Sequence, residues 1–274
     1  MIRLLTIELL KIRNYRTFWV IFSLYTLALV LLMWILYVFT SEMEGAAGFR
    51  AFTIYSFPDV WYNTTYFALF LRFLIGFLMI ILVSNEFSYK TIRQGIIDGL
   101  SKEEWILSKV LLALFLSTTA ATIVFLMASI FGLISTKSND YEYFFKYISY
   151  VPTYLLEVFV YLMFVFMVTM FLKRSGLSII VVLCYSFLEW YWVIKFKTNG
   201  IEKGVGKYLQ AEDHWLLNKL PFNTPLDLAN SPFKKYGVIL TYNADITLIQ
   251  CLPALGYSLL FGAITYLWLK SRDV

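Results

Sequence analysis

The sequence predicts an all-α integral membrane protein, and three observations lead to this fold class. First, 60% of the 274 residues are hydrophobic and only 15% are charged, whereas about a quarter of the residues in a soluble domain are charged. Second, the chain contains six apolar stretches, each close in length to the ~20 residues that a helix needs to cross a bilayer. Third, aromatic residues make up 19% of the chain, which is typical of proteins whose side chains line two membrane interfaces.

Each apolar stretch is interpreted as one unbroken membrane span, and together they form a single transmembrane domain over residues 1–274. The spans cover residues 18–39, 64–83, 106–134, 150–172, 177–194 and 247–269. Lys and Arg concentrate in the short flanks on the side that carries both ends of the chain, which predicts that both termini are cytoplasmic. The long segment 195–246 then lies outside as a cap, and its prolines exclude one continuous helix.

Before the first span, residues 1–14 are predicted to form an amphipathic helix in the inner membrane interface. Its apolar face consists of Ile2, Leu5, Leu9 and Ile12. Glu8 and Lys11 are expected on the opposite, polar face. The alternative is a plain helical extension of the first span.

A short polar segment, residues 86–105, separates the second span from the third. Residues 86–98 are predicted to form a helix that ends at Gly99, because glycine tolerates the left-handed conformation at a helix C-terminus. Ser101 and Glu104 have the spacing of a capping box, which begins the next helix. The segment therefore predicts a helix, a sharp turn and a second helix in cytoplasmic water.

The first of these two helices is expected to present Ile92, Ile96 and Ile97 on one side, with polar residues elsewhere. This small mixed face can dock into a groove on a partner protein. An ordinary cytoplasmic loop that happens to be helical is the alternative.

Several residues in this region carry a resemblance to a known family. They are Glu86, Thr91, Arg93, the turn Asp98-Gly99-Leu100-Ser101-Lys102, and Lys109. In these positions, and in its basic amphipathic start, six spans and long last outer loop, the chain resembles the ABC-2 family. The members of that family are membrane permease subunits of ATP-binding-cassette (ABC) exporters.

The resemblance implies partners and a location. Two permeases, identical or related, would pair and face two cytoplasmic ATPase subunits in a bacterial cytoplasmic membrane. Thr91, Arg93, Ile96 and Ile97 would lie in or beside the helix that enters the ATPase groove, with Glu86, Ser101 and Glu104 framing it. ATP and Mg²⁺ would be bound by the ATPase, so no cofactor is expected in this chain, and nucleic acid is not an expected partner.

Arg72, Glu157 and Glu189 fall inside predicted spans, in the half nearer the outer side. Because a lone charge in the bilayer core is costly, such groups usually face the protein interior and pair. Arg72 is therefore predicted to pair with Glu157 or Glu189. The pair would act either as a gate or polar substrate contact, or as a structural lock between helices.

The sequence favours a permease subunit over other classes of membrane protein. Enzymatic activity is not expected, because the chain lacks the G-x-x-x-x-G-K-[ST] phosphate loop, and its single histidine, His214, excludes a histidine cluster for a metal. A secondary transporter would need broken helices and titratable groups near the midplane. An ABC-driven assembly or signalling component remains open. The few intramembrane charges favour an amphipathic or lipid-like substrate.

Overall fold

A computed structural model gives the fold of residues 2–47, 55–136, 144–202 and 248–271. These residues form helices joined by short turns and contain no strand, which confirms the all-α class. In chain order the helices are α1 (Ile2–Arg13), α2 (Arg16–Ala47), α3 (Asp59–Leu69), α4 (Arg72–Ser88), α5 (Thr91–Ile97), α6 (Lys102–Ser135), α7 (Tyr150–Leu172), α8 (Ser175–Glu202) and α9 (Leu248–Lys270).

Four helices within these residues, α2, α6, α7 and α9, are long and apolar enough to cross a membrane. They contain the first, third, fourth and nearly all of the sixth predicted spans, and α7 has the predicted bounds. The fifth predicted span falls in α8, where the described apolar stretch Ser175–Leu188 is shorter than a full span. Helix α8 continues to Glu202, so the predicted cap begins as helix, and its residues 203–246 lie outside the described part.

The second predicted span is not one straight helix, so the expectation of unbroken spans is wrong there. Helices α3 and α4 meet at an angle of 47°. At the junction, the amides of Phe70 and Leu71 donate to the carbonyls of Phe67 and Ala68 at 3.2 and 3.0 Å. Bonds to the third preceding residue form a tighter 3₁₀-type turn, which interrupts the α-helical pattern. With this bent pair taken as one span, the described residues supply up to five spans.

Helix α7 lies at the centre of the bundle. It packs against α3, α4, α6, α8 and α9, and most of its side chains are buried. A helix that is apolar around its whole circumference is suited to this position. Its neighbour α6 buries Ala113, Ala120 and Ala128, and such small residues let helices approach closely in membrane proteins.

Helix α2 attaches to α3, α4 and α7 through one narrow stripe. The buried residues Phe18, Tyr25, Leu29 and Met33 follow one another at spacings of seven, four and four, which places them on one helical face. The rest of the helix exposes large apolar side chains, among them Val20, Leu24, Leu27, Leu31 and Ile35. On a helix that can cross a membrane, such a surface suits contact with lipid or with another membrane chain.

Helix α1 is separated from α2 by a turn at Asn14 and Tyr15, and it packs against α6. Its buried face carries Leu4, Glu8 and Ile12, which are four residues apart and therefore lie on one side of the helix. The prediction that Glu8 faces away from the packed side is wrong. Glu8 is 3% exposed, and an ammonium group of α6 compensates its charge.

Candidate functional site

The connection between α4 and α6 contains the short helix α5. Helix α4 runs two residues beyond Glu86 to Ser88, so Glu86 belongs to α4 rather than to the start of the coupling helix. Lys90 follows in the left-handed conformation with φ 55°, and α5 starts at Thr91. The predicted helix over residues 86–98 is therefore two helices with a sharp turn between them.

Helix α5 ends as predicted at Gly99, whose φ is +96°. The Gly99 amide donates to the Ile96 carbonyl at 3.1 Å, and the Leu100 amide donates to the Gly95 carbonyl at 2.9 Å. This pair of bonds is a Schellman motif, which satisfies the carbonyls at the end of a helix.

The next helix begins with the predicted capping box. The Glu104 amide donates to Ser101 Oγ at 3.1 Å, and the Ser101 amide donates to Glu104 Oε2 at 3.0 Å. Helix α5 is thus followed by a turn whose two ends are both fixed by local hydrogen bonds. The side chains of Ser101 and Glu104 are occupied in this cap.

Helix α5 presents a mixed surface, but not the one predicted. Ile92 is buried, Ile96 is half-buried, and Ile97 is 76% exposed. Residues four apart share a helical face, whereas residues five apart are rotated by about 140°, so Ile97 points away from Ile92. Thr91 and Arg93 are also exposed. We call the exposed residues Thr91, Arg93 and Ile97 the α5 surface.

Next to α5, four charged side chains form what we call the charge cluster: Glu8 and Lys11 from α1, Glu86 from α4 and Lys109 from α6. Lys109 Nζ donates to Glu8 Oε2 at 2.7 Å and to Glu86 Oε1 at 2.6 Å. Lys11 Nζ donates to Glu86 Oε1 at 2.7 Å and to Glu8 Oε1 at 3.0 Å. Two carboxylates balance two ammonium groups, which is the arrangement that buried charges require.

The charge cluster is buried on every side except at Lys11. The side chain of Lys109 is 0% exposed, whereas that of Lys11 is 46% exposed. Burial alone would lower the pKa of the Lys11 ammonium, but the carboxylates of Glu86 and Glu8 raise this pKa above its usual value. Lys11 therefore stays charged at neutral pH.

Uncharged groups complete the hydrogen bonds of the two carboxylates. Trp105 Nε1 donates to Glu86 Oε2 at 2.8 Å, and the Ser108 hydroxyl, which donates to the Trp105 carbonyl at 2.7 Å, shares its proton with Glu8 Oε1 at 3.3 Å. The indole ring of Trp105 also lies 5.6 Å from Lys109 Nζ, which is a cation–π contact. Both residues come from the first two turns of α6.

A second buried polar group joins α2, α4 and α7. Arg72 Nη1 donates to Glu157 Oε1 at 2.7 Å, which is one of the two pairings predicted for Arg72. The guanidinium lies 5.1 Å from the centre of the Tyr161 ring, and the hydroxyl groups of Tyr25 and Tyr154 are 3.0 Å apart. Arg72 is the first residue of α4, so this group lies directly beside the bend between α3 and α4.

A family profile described as "ABC-2 family transporter protein" matches residues 4–189, which include the charge cluster and α5. The chain belongs to the ABC-2 transporter family. It is therefore a multi-pass membrane permease of an ABC transporter, and ABC-2 membrane subunits work with ABC ATPase partners. No curated protein matches the sequence.

The structure separates the residues that the sequence grouped for ATPase coupling in this ABC-2 permease. Thr91, Arg93 and Ile97 lie on the α5 surface, and Ile96 lies at its buried edge. The Glu86 side chain is buried in the charge cluster.

Sequence reasoning missed the charge cluster itself. Lys109 lies inside the predicted third span, and an ionisable residue within a span is a signal for a buried pair. Its partner Glu8 carries no such signal, because a carboxylate on a short amphipathic helix usually faces water.

The remaining predictions for this ABC-2 permease concern residues that the structure does not describe in full. The side chain of Glu189 lies outside the described part, so its pairing stays a prediction. His214 also lies outside it. Within the described ranges, no group of three or more His, Cys, Asp or Glu residues is placed to hold a metal ion.

Proposed function

We propose that this chain is the permease subunit of an ABC exporter in a bacterial cytoplasmic membrane. A separate cytoplasmic ATPase binds ATP and Mg²⁺ and transmits its motion through the α5 surface. The observation that carries this proposal is the exposure of α5 between two membrane helices, α4 and α6, in a chain of the ABC-2 family. Both termini and the charge cluster then lie on the cytoplasmic side.

Three features of α5 support a docking role. Arg93 supplies a fixed positive charge, and Ile97 supplies an exposed apolar side chain, which together suit a groove with an acidic rim. The helix has only seven residues, so by itself it is unstable in water. Its terminal Schellman motif and the following capping box hold it in place, so less conformational entropy is lost on docking.

The working assembly contains two copies of the permease, or this chain and a related one, together with two ATPase subunits. The apolar surface of α2 supports contact with a second permease or with lipid. The apolar walls and the small number of intramembrane charges support an amphipathic or lipid-like substrate. Helix α1 lies in the inner interface, where its exposed Leu10 contacts acyl chains.

Co-purification tests the proposal. The variant Arg93→Asp with Ile97→Asp alters two exposed side chains of α5, so we expect the permease to fold. We also expect it to lose its ATPase, because both residues belong to the proposed docking surface. The matched control is Lys146→Asp with Phe145→Asp, which changes one exposed cation and one exposed apolar residue at the other end of α6. Retention of the ATPase by the α5 variant, or equal loss from the control, would contradict the proposal.

A second candidate function, an ion-coupled secondary transporter, is favoured by one observation. The bend between α3 and α4 lies beside the Arg72–Glu157 ion pair, and secondary transporters place their binding sites at broken helices. The two functions differ in their energy source. Transport in vesicles that persists without ATP and stops when the ion gradient is removed would favour the secondary transporter.

A further inference from the structure

We propose that the charge cluster fastens α1 to the base of α5, so that α1 and α5 move as one unit when the ATPase engages the α5 surface. Glu8, Lys11, Glu86 and Lys109 are then positioning residues for coupling. This inference rests on the proposed function, because it assigns a mechanical role to the contacts behind the proposed docking helix.

The charge cluster draws its residues from the two helices on either side of α5 and from α1. Glu86 lies two residues before the end of α4, and Lys109 lies in the second turn of α6. These are the two helices between which α5 is held. Both of them contribute one charge to the cluster, and α1 contributes the other two. A displacement of α5 that shifts α4 and α6 therefore acts directly on α1.

The Glu86 carboxylate is the common acceptor for donors from α1 and α6. It accepts from Lys11 of α1 at 2.7 Å, from Lys109 of α6 at 2.6 Å and from Trp105 of α6 at 2.8 Å. Thr91, the first residue of α5, donates through Oγ1 to the Glu86 backbone carbonyl at 3.4 Å. One residue thus connects α1, α6 and the first residue of α5.

Buried charges fix the position of a helix more specifically than apolar contacts do. Apolar contacts such as those of Leu4 and Ile12 allow a helix to slide by a fraction of a turn. By contrast, separating α1 from α4 and α6 breaks the Lys11–Glu86 and Lys109–Glu8 pairs and leaves charged groups without compensation. A buried ionic network therefore holds α1 in one register, which is what joint movement requires.

The experiment measures the distance between α1 and α5 in the assembled transporter. Spin labels are attached at Leu10→Cys and Asp98→Cys, both exposed positions outside the α5 surface, after the native Cys184 and Cys251 are replaced by alanine. Pulsed electron paramagnetic resonance gives the distance distribution without nucleotide and with ATP and vanadate. We expect one narrow distribution that is the same in both states. A shift of more than about one helical turn, ~5 Å, would overturn the proposal.

Two variants test whether the charge cluster causes the narrow distribution. Glu8→Gln with Lys109→Met removes the α1–α6 pair, and we expect the distribution to broaden. Exchange of all four charges (Glu8→Lys, Lys11→Glu, Glu86→Lys and Lys109→Glu) keeps every contact of the cluster attractive, and we expect it to restore the narrow distribution. The control Lys90→Met removes an exposed ammonium beside α5 and should leave the distribution unchanged. A narrow distribution in the first variant would refute the fastening.

The two proposals fail in different ways. If no ATPase co-purifies with the native chain, the proposed function fails, whereas the comparison of native and variant distances still decides whether the charge cluster fastens α1. If the ATPase is retained and the distance changes between the two nucleotide states, the proposed function stands and the joint movement is refuted.

Discussion

At the scale of single residues, Lys109 sets the charge balance of the cluster. Its ammonium is fully buried and lies between Glu8 and Glu86. Removal of one member of a buried ionic group is costly, because the remaining charges lose their compensation without regaining water. The half-exposed Lys11 cannot replace Lys109, because it already donates to both carboxylates.

We therefore predict that Lys109→Met lowers the free energy of unfolding by about 3–5 kcal/mol. The measurement is reversible unfolding of the purified protein in mixed micelles. Lys90→Met is the matched control, because Lys90 is exposed and such surface changes usually stay within about 0.5 kcal/mol. Equal stability of the two variants would show that Glu8 and Glu86 do not need Lys109 to compensate their charges.

The ion pair of Arg72 and Glu157 gives a second prediction. Arg72→Glu or Glu157→Arg places two like charges together in a buried site and should lower the melting temperature markedly. The double exchange restores an ion pair and should recover at least half of the loss. Absence of rescue would contradict a direct pairing. A stable double exchange that still abolishes ATP-driven transport would favour the gate over the structural lock.

Residues whose roles depend on near neighbours could be predicted from the sequence. Gly99 and the Ser101–Glu104 capping box are local signals, and the structure confirms both. Glu8 could not be placed, because its environment depends on Lys109, which is 101 residues away in the chain. The amphipathic pattern of α1 predicts that the Glu8 carboxylate faces water. The packing of α1 against α6 buries it instead.

At the scale of elements, α5 depends on two glycines with opposite requirements. Gly99 has φ +96°, a backbone conformation that is strained for residues with a Cβ atom. Gly95 lies inside α5, and a Cβ atom there would meet only Leu100 Cδ2, at an ordinary 3.9 Å.

We predict opposite effects of alanine at these two positions. Gly95→Ala should stabilise α5 by about 0.5–1 kcal/mol, because glycine is a poor helix former. Gly99→Ala should destabilise the turn by about 1–2 kcal/mol. Hydrogen exchange of the α5 amides measures both effects, as slower exchange in the first variant and faster exchange in the second. The same direction of change in both would contradict the Schellman assignment.

The bend between α3 and α4 could not be predicted from the sequence. Sharp bends are usually marked by proline, and residues 59–88 contain none. The apolar pattern therefore indicates one continuous span. The observed turn at Phe70 and Leu71 coincides with Arg72, whose side chain is bonded to Glu157 of α7. The apolar lengths of α2, α6, α7 and α9, in contrast, were sufficient to predict four long helices.

At the scale of the whole molecule, the length of α6 indicates which parts of the chain lie on opposite sides of the membrane. Its 34 residues extend for about 51 Å, which exceeds the ~30 Å hydrocarbon core of a bilayer. The α5 surface precedes one end of α6, and residues 144–149 follow the other end across a short segment outside the described ranges. The two regions are therefore expected on opposite sides of the membrane.

Thiol labelling in intact cells tests this orientation. In a background without Cys184 and Cys251, a membrane-impermeant maleimide should label Phe145→Cys and leave Ile97→Cys unlabelled. Both side chains are about equally exposed, at 74% and 76%, so exposure alone does not explain a difference. Permeabilised cells are the control, in which both positions should react. Labelling of Ile97→Cys in intact cells would place α5 outside and remove the basis for an ATPase contact.

The single stripe that attaches α2 has a consequence for how this molecule changes shape. Helix α2 is held along one face, from Phe18 to Met33. It can rotate about this face while all of its backbone hydrogen bonds stay intact. The turn that leads into α2 stays fixed during such rotation, because Tyr15 Oη accepts from Asn85 Nδ2 of α4 at 2.9 Å and Trp19 Nε1 donates to the Arg13 carbonyl at 3.1 Å. We therefore expect any displacement of α2 to begin at its far end, where it would expose the face of α3 to lipid without unfolding either helix.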